Sequence, residues 1–194
     1  MIATDPDVES AYDGDTAMKR GAMWLAVLTL GFFPISDVLG KEVRKMDGLK
    51  ISSPQFAHNG SIPAKYTCDG ADTSPHLKIE GVPRGAKALA LIVDDPDAPA
   101  GTWVHWVVWG IPPETGEIGE NAVPAGAVQG RNDWGRNSYG GPCPPSGSHR
   151  YFFKLFALDT VLTLGAATTK KDLERAMEGH VIARAELIGV YKRK

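Results

Sequence analysis

Three runs of this chain, residues 88–93, 103–109 and 151–158, are so dense in aliphatic and aromatic side chains that they read as strands buried within a sheet. The first, Ala88-Leu89-Ala90-Leu91-Ile92-Val93, passes directly into a cluster of aspartates and prolines, the mark of a strand ending in a loop. The second, Trp103-Val104-His105-Trp106-Val107-Val108-Trp109, is apolar on both alternating faces apart from its histidine, so His105 is expected to be interior. The third begins at Tyr151, with His149 just ahead of it. Its 22 glycines and 14 prolines suit strands joined by irregular loops better than a helical bundle.

Polar blocks flank these runs. They are Asp94-Asp95-Pro96-Asp97-Ala98-Pro99, His105-Trp106, and Pro144-Pro145-Ser146-Gly147-Ser148-His149-Arg150-Tyr151. The loop from Asp94 to Gly101 places the aspartates and His105 at the same end of two neighbouring strands. If the third run pairs antiparallel to the first, Asp95, Asp97, His105, His149 and Tyr151 share one rim, held by a rigid sheet around one small pocket. A protonated histidine donates two hydrogen bonds, and each charge-assisted bond contributes about 1.5–3 kcal/mol to holding a phosphate. A carboxylate beside such an anion makes sense if Asp95 accepts a proton from His105 or His149, or if Asp95 or Asp97 receives an ammonium. Duller readings stand beside these: Asp97 bonding its own turn, His105 as a satisfied core histidine, and Tyr151 packing as a core ring. Arg150 is expected to form a structural ion pair, with an aspartate of the first block as its partner.

Catalytic signatures are missing: there is no Gly-x-Ser-x-Gly elbow, no His-Glu-x-x-His helix and no Gly-Lys-Ser/Thr phosphate loop. Ser148 and His149 are adjacent on an extended chain and so face opposite ways. The rival with most chemistry behind it is a metal-dependent enzyme using His105, His149 and Asp95, a two-histidine, one-carboxylate set.

The turn Asp95-Pro96-Asp97-Ala98-Pro99, the His105-Trp106 strand and Gly147-Ser148-His149-Arg150-Tyr151, in that order, resemble the phosphatidylethanolamine-binding protein family. The likeness is to its bacterial and archaeal, Raf-kinase-inhibitor-like branch, which Tyr66-Thr67-Cys68-Asp69-Gly70, Ser74-Pro75 and Gly140-Gly141-Pro142-Cys143-Pro144-Pro145 also resemble. It runs from about Leu49 to the C-terminus. One departure is Ile79, where the branch usually carries tryptophan. The resemblance implies a mainly β fold: a large antiparallel sheet, a smaller sheet and short peripheral helices. It also implies a ligand pocket at Asp95, Asp97, His105, His149 and Tyr151. The function expected is non-catalytic binding of a small phosphate-bearing anion or phospholipid head group, with no cofactor and no metal. The alternative that the family name carries is an inhibitor or modulator of a kinase or protease acting through surface loops.

With 194 residues, a 43% hydrophobic fraction and a net charge of −2, the chain has enough apolar material for one core and no basic stripe for nucleic acid. We divide it into an N-terminal extension, 1–48, and a domain, 49–194. Within the extension, Met18-Lys19-Arg20 precedes an uncharged stretch, 21–36, and Val38 and Gly40 suit a cleavage site, so 18–40 is shaped like an export signal. It falls short of the roughly 20 residues of a spanning helix, so no stable membrane span is expected. The acidic residues before Lys19 argue the other way unless Met18 is the start. We therefore expect a periplasmic or secreted protein, with a cytoplasmic one as the alternative; a protein partner and a homodimer stay open. Cys68 and Cys143 lie in two loops and read either as a disulfide or as two buried thiols. Residues 117–139 read as a long irregular passage in which Trp134 and Tyr139 pack over the pocket mouth or the core. Thr169-Lys170-Lys171-Asp172 resembles a capping box for a short surface helix, and 181–191 alternates like a closing strand.

Overall fold

The computed structural model describes residues 48–193; the segment read as an export signal lies outside them. Among the described residues the elements are β1 (Lys50–Ser52), β2 (Gly60–Ser61), β3 (Leu77–Glu80), β4 (Ala88–Asp95), β5 (Trp103–Ile111), β6 (Glu117–Ile118), β7 (Val128–Gln129), β8 (Ser148–Leu158), α1 (Lys170–Met177) and β9 (Val181–Lys192). They form a three-stranded sheet, β1-β3-β6, and a six-stranded sheet, β2-β9-β8-β4-β5-β7. Neighbours in the larger sheet run antiparallel, except that the two-residue β2 joins β9 in parallel. This is the mainly β, two-sheet architecture expected.

The large sheet is covered on both faces, which is why its central strands are apolar throughout instead of alternating. On one face, Val93, Trp106, Tyr151, Phe153 and Leu155 pack with Ile51, Leu77, Ile79 and Ile118 of the smaller sheet. On the other, Ile92, Val107 and Trp109 pack under Leu173 and Met177 of α1. That helix starts where its sequence says it should: Thr169 accepts a hydrogen bond from the Asp172 backbone N–H, and Asp172 accepts one from the Thr169 N–H. Ile79, the departure from the branch pattern, is an ordinary core residue.

Three boundaries differ from the sequence reading, and each bears on the site. Strand β4 continues through Asp94 and Asp95, which pair with Val104 and Trp103, so both aspartates belong to the sheet and not to the loop. Strand β8 begins at Ser148, paired with Lys192, so His149 lies within a strand instead of ahead of one. In both cases a neighbouring strand extends the ladder past the last apolar residue. The passage 117–139, read as irregular, contributes β6 and β7 because each finds an open sheet edge, at Leu77 and at Val108. No helix among the described residues is long and apolar enough to cross a membrane.

Candidate functional site

Strand geometry decides which polar groups meet. Alternate residues share a face, so Asp95 follows Val93, and His149 and Tyr151 precede Phe153, on the face that packs against the smaller sheet. His105 reaches the same side by a β-bulge: Val93 lies opposite Trp106 while Asp94 lies opposite Val104, leaving His105 as the extra residue of β5. The imidazole therefore stands at the end of the main core, its ring 5.1 Å edge-on from Tyr151 and 5.0 Å edge-on from Trp134.

Asp95, His105 and His149 line one cleft of about 240 Å³, together with Ala98, Pro99, Trp103, Trp134, Cys143 and Pro145. All three polar residues are buried, at 3%, 2% and 7% exposure, so their hydrogen bonds fix their chemistry. His149 Nδ1 lies 2.7 Å from Asp95 Oδ2 and donates to it. The other oxygen, Asp95 Oδ1, accepts the Asp97 N–H at 2.8 Å, which pins the turn that leaves the sheet. His105 Nδ1 lies 2.7 Å from the Gly140 carbonyl, which can only accept, so the proton of a neutral His105 sits on Nδ1. In both rings Nδ1 is committed, and Nε2 has no hydrogen-bond partner among the described residues. One buried donor beside the cleft is likewise unpartnered, Trp103 Nε1–H, whereas the Tyr151 hydroxyl is directed toward Asp95 and the Cys143 N–H.

Asp97 and Tyr151 are not among the residues that line the cleft. Asp97 stands at the rim, where Arg150 holds it with Nε at 2.8 Å, Nη2 at 2.7 Å and its backbone N–H at 3.0 Å. The turn-bonding role proposed for Asp97 thus belongs to Asp95, because Arg150 engages both Asp97 oxygens. Tyr151 stands behind the His105 ring. As a metal set, His105, His149 and Asp95 do not group: both Asp95 oxygens are occupied by N–H donors, and no cluster of three His, Cys, Asp or Glu suited to a metal occurs among the described residues.

These contacts bias the titrations. Burial holds His105 below its ordinary value of 6.5, opposed by the Gly140 carbonyl and the Asp95 charge. The Arg150 guanidinium draws Asp97 down to about 2. Burial pushes the Tyr151 hydroxyl up, and the Asp95 charge adds to it.

Two residues that shape the site escaped the sequence reading. Trp103 precedes His105 by two positions, and that period-2 spacing was the available signal that they share a face. Asn132 is 3% exposed and organises the loop over the cleft: its Oδ1 accepts the N–H groups of Trp134 and Arg136, and its Nδ2 donates to the Ser138 carbonyl. The loop thereby sets the Trp134 indole against His105 and Trp103, with the Arg136 guanidinium 5.5 Å above its ring. Gly140 makes room for it, since a Cβ there would sit 2.6 Å from Trp134 Cζ3. Cys143 is bonded to Cys68, which ties the Gly140–Pro145 passage to the turn after Ala64–Tyr66.

A model of the phosphatidylethanolamine-binding protein family matches residues 52–192, nearly the whole of the described chain. The chain belongs to that family. Among its relatives, a UPF0098 protein of Methanothermobacter thermautotrophicus is 53% identical over 150 residues, covering 75% of this chain and 99% of that one. A second UPF0098 protein, from Pyrococcus horikoshii, is 55% identical over 155 residues, covering 75% and 77%. The crystal structure of CT736 from Chlamydia trachomatis, described as a homologue of phosphatidylethanolamine-binding protein, superposes with a TM-score of 0.73 at 43% identity, covering 76% of this chain and 99% of that one. YbcL of E. coli, described as a member of the mammalian family, gives a TM-score of 0.71 at 34% identity, covering 75% and 99%. The family match excludes the N-terminal residues, as did the resemblance drawn from the motifs.

Proposed function

We propose that the cleft reversibly binds a small phosphate-bearing anion, such as a phospholipid head group, without turning it over. The observation that carries this reading is the pair of imidazoles in one cleft, each with Nδ1 committed to the protein and Nε2 left for a ligand. Once protonated, both present N–H donors, and Trp103 Nε1–H adds a third. Asp95 accepts the His149 Nδ1–H and the Asp97 N–H, so its carboxylate is engaged by protein donors on the side of the ring away from Nε2. Donors of this kind, set against the entropy of binding, correspond to an affinity in the roughly millimolar to micromolar range.

Absence of turnover is supported by what surrounds the rings. Among the described residues no hydroxyl is hydrogen-bonded to either imidazole, and Cys143, which lines the cleft, is held in a disulfide. The disulfide also supports an oxidising compartment, in keeping with the export reading of residues 18–40.

Titration of phosphorylethanolamine into the isotopically labelled full chain tests the proposal. Saturable shift changes at the His105 and His149 rings and the Trp103 indole N–H are the expected result. No saturable change up to millimolar ligand, or changes mapping elsewhere, would overturn it.

A further inference from the structure

We propose that the Cys68–Cys143 disulfide is a positioning element of the cleft, so that binding there depends on the bridge being oxidised; this rests on the anion-binding reading above. Cys143 and Pro145 form part of the cleft wall. The chain just before them is held by several hydrogen bonds. The Gly140 N–H donates to the His105 carbonyl, the Gly141 N–H to Asp72 Oδ1, and the Cys68 N–H to the Pro142 carbonyl. Just after them the ladder resumes at Ser148, paired with Lys192.

Between these anchors the wall has little else to hold it. Residues 143–147 make no hydrogen bond to the rest of the described chain, apart from a Cys143 N–H directed at the Tyr151 hydroxyl. Pro144 and Pro145 have no N–H to give, and Ser146 and Gly147 are exposed. Pro144 is buried, but apolar packing of one ring fixes no direction. The bridge is the one covalent tie, and it joins the wall to the turn after Tyr66.

Both half-cystines are exposed, so a dithiol reductant can reach the sulfurs. Reduction breaks the S–S bond and adds two electrons and two protons, leaving Cys68 and Cys143 as thiols while the dithiol becomes a cyclic disulfide. The floor of the cleft survives this step, because Gly140 and Asp95 hold the two imidazoles independently of residue 143. The wall does not, and a ligand must then order it on binding.

The test measures phosphorylethanolamine affinity for the oxidised full chain, the same chain reduced with dithiothreitol, and the Cys68→Ser/Cys143→Ser variant. Thiol counting confirms each state, and two-dimensional amide spectra report the fold. We expect reduction and the double substitution each to raise Kd at least about fivefold by loss of preorganisation. Amide shift changes should stay near residues 66–72 and 140–149. Equal affinity in the oxidised and thiol states would overturn the inference while leaving the anion site standing. Global unfolding on reduction would also overturn it, by making the bridge a requirement of the fold. An oxidised chain that binds no phosphate compound would remove both readings.

Discussion

Asp94 and Asp95 are consecutive and both buried, at 0% and 3% exposure, yet a strand sends them to opposite faces and into opposite roles. Asp94 points toward the helix-covered face, where Lys154 Nζ stands 2.8 Å from Oδ1 and Lys170 Nζ 2.6 Å from Oδ2. Two ammonium groups hold it, one from β8 and one from the first turn of α1. It is a fastening between sheet and helix. Asp95 points toward the smaller-sheet face and meets the His149 imidazole, which donates Nδ1–H to it and leaves Nε2 on the cleft side. The comparison teaches that burial of a carboxylate does not mark a site. What marks one is a partner whose other nitrogen is still open to a cleft.

The sharpest way to break this comparison is to remove Asp94. Asp94→Ala leaves Lys154 without its counter-charge and Lys170 with only Glu174, and it removes the ionic tie between α1 and the sheet while the packing of Leu173 and Met177 stays. We expect a loss of about 2–4 kcal/mol in urea unfolding, with phosphorylethanolamine affinity unchanged in the folded protein. A large change in affinity with little change in stability would reverse the two roles. His149→Ala is the counterpart on the other face. It removes one donor to the anion and should raise Kd at least about tenfold with the fold intact, as measured by calorimetry. Equal affinity in variant and wild type would take His149 out of the site.

The mildest probe is pH, through His105. Its folded form takes up a proton only below the ordinary 6.5, so the unfolded chain binds more protons in the interval between the two values. The associated stability is therefore complete above about 6.5 and is lost as pH falls toward the folded value. Unfolding free energies at pH 7.5 and pH 5 should differ in that direction, and His105→Gln should remove part of the slope. Ligand binding has the opposite sign. An anion favours the protonated ring, so Kd for phosphorylethanolamine should be lower at pH 6.5 than at pH 8, by about threefold. A flat binding profile would mean that the ligand meets a neutral imidazole.

Much of this was legible in the chain. The runs at 88–93, 103–109 and 151–158 announce a sheet buried on both faces, and they became β4, β5 and β8 with the antiparallel pairing expected. The capping box at Thr169 was readable because it depends on residues three apart. His105 and His149 stood out as polar groups beside apolar strands, and the structure brings both to one cleft with Asp95. Other features escaped because they are set at a distance. Which aspartate serves the turn and which is held by Arg150 depends on the pairing of β4 with β8. The bulge at His105 depends on registry with a strand ten residues away, and no local signal encodes it.

By itself, then, the sequence determined the strands, the short helix and the identity of the polar groups near the sheet's end, because strand formation and capping depend on side chains a few positions apart. Only the tertiary structure decided which carboxylate faces which partner, which imidazole nitrogen stays free, and that Cys143 walls the cleft. Those are properties of sheet register and of loops brought together across as many as 75 residues, where the chain's local chemistry has no influence.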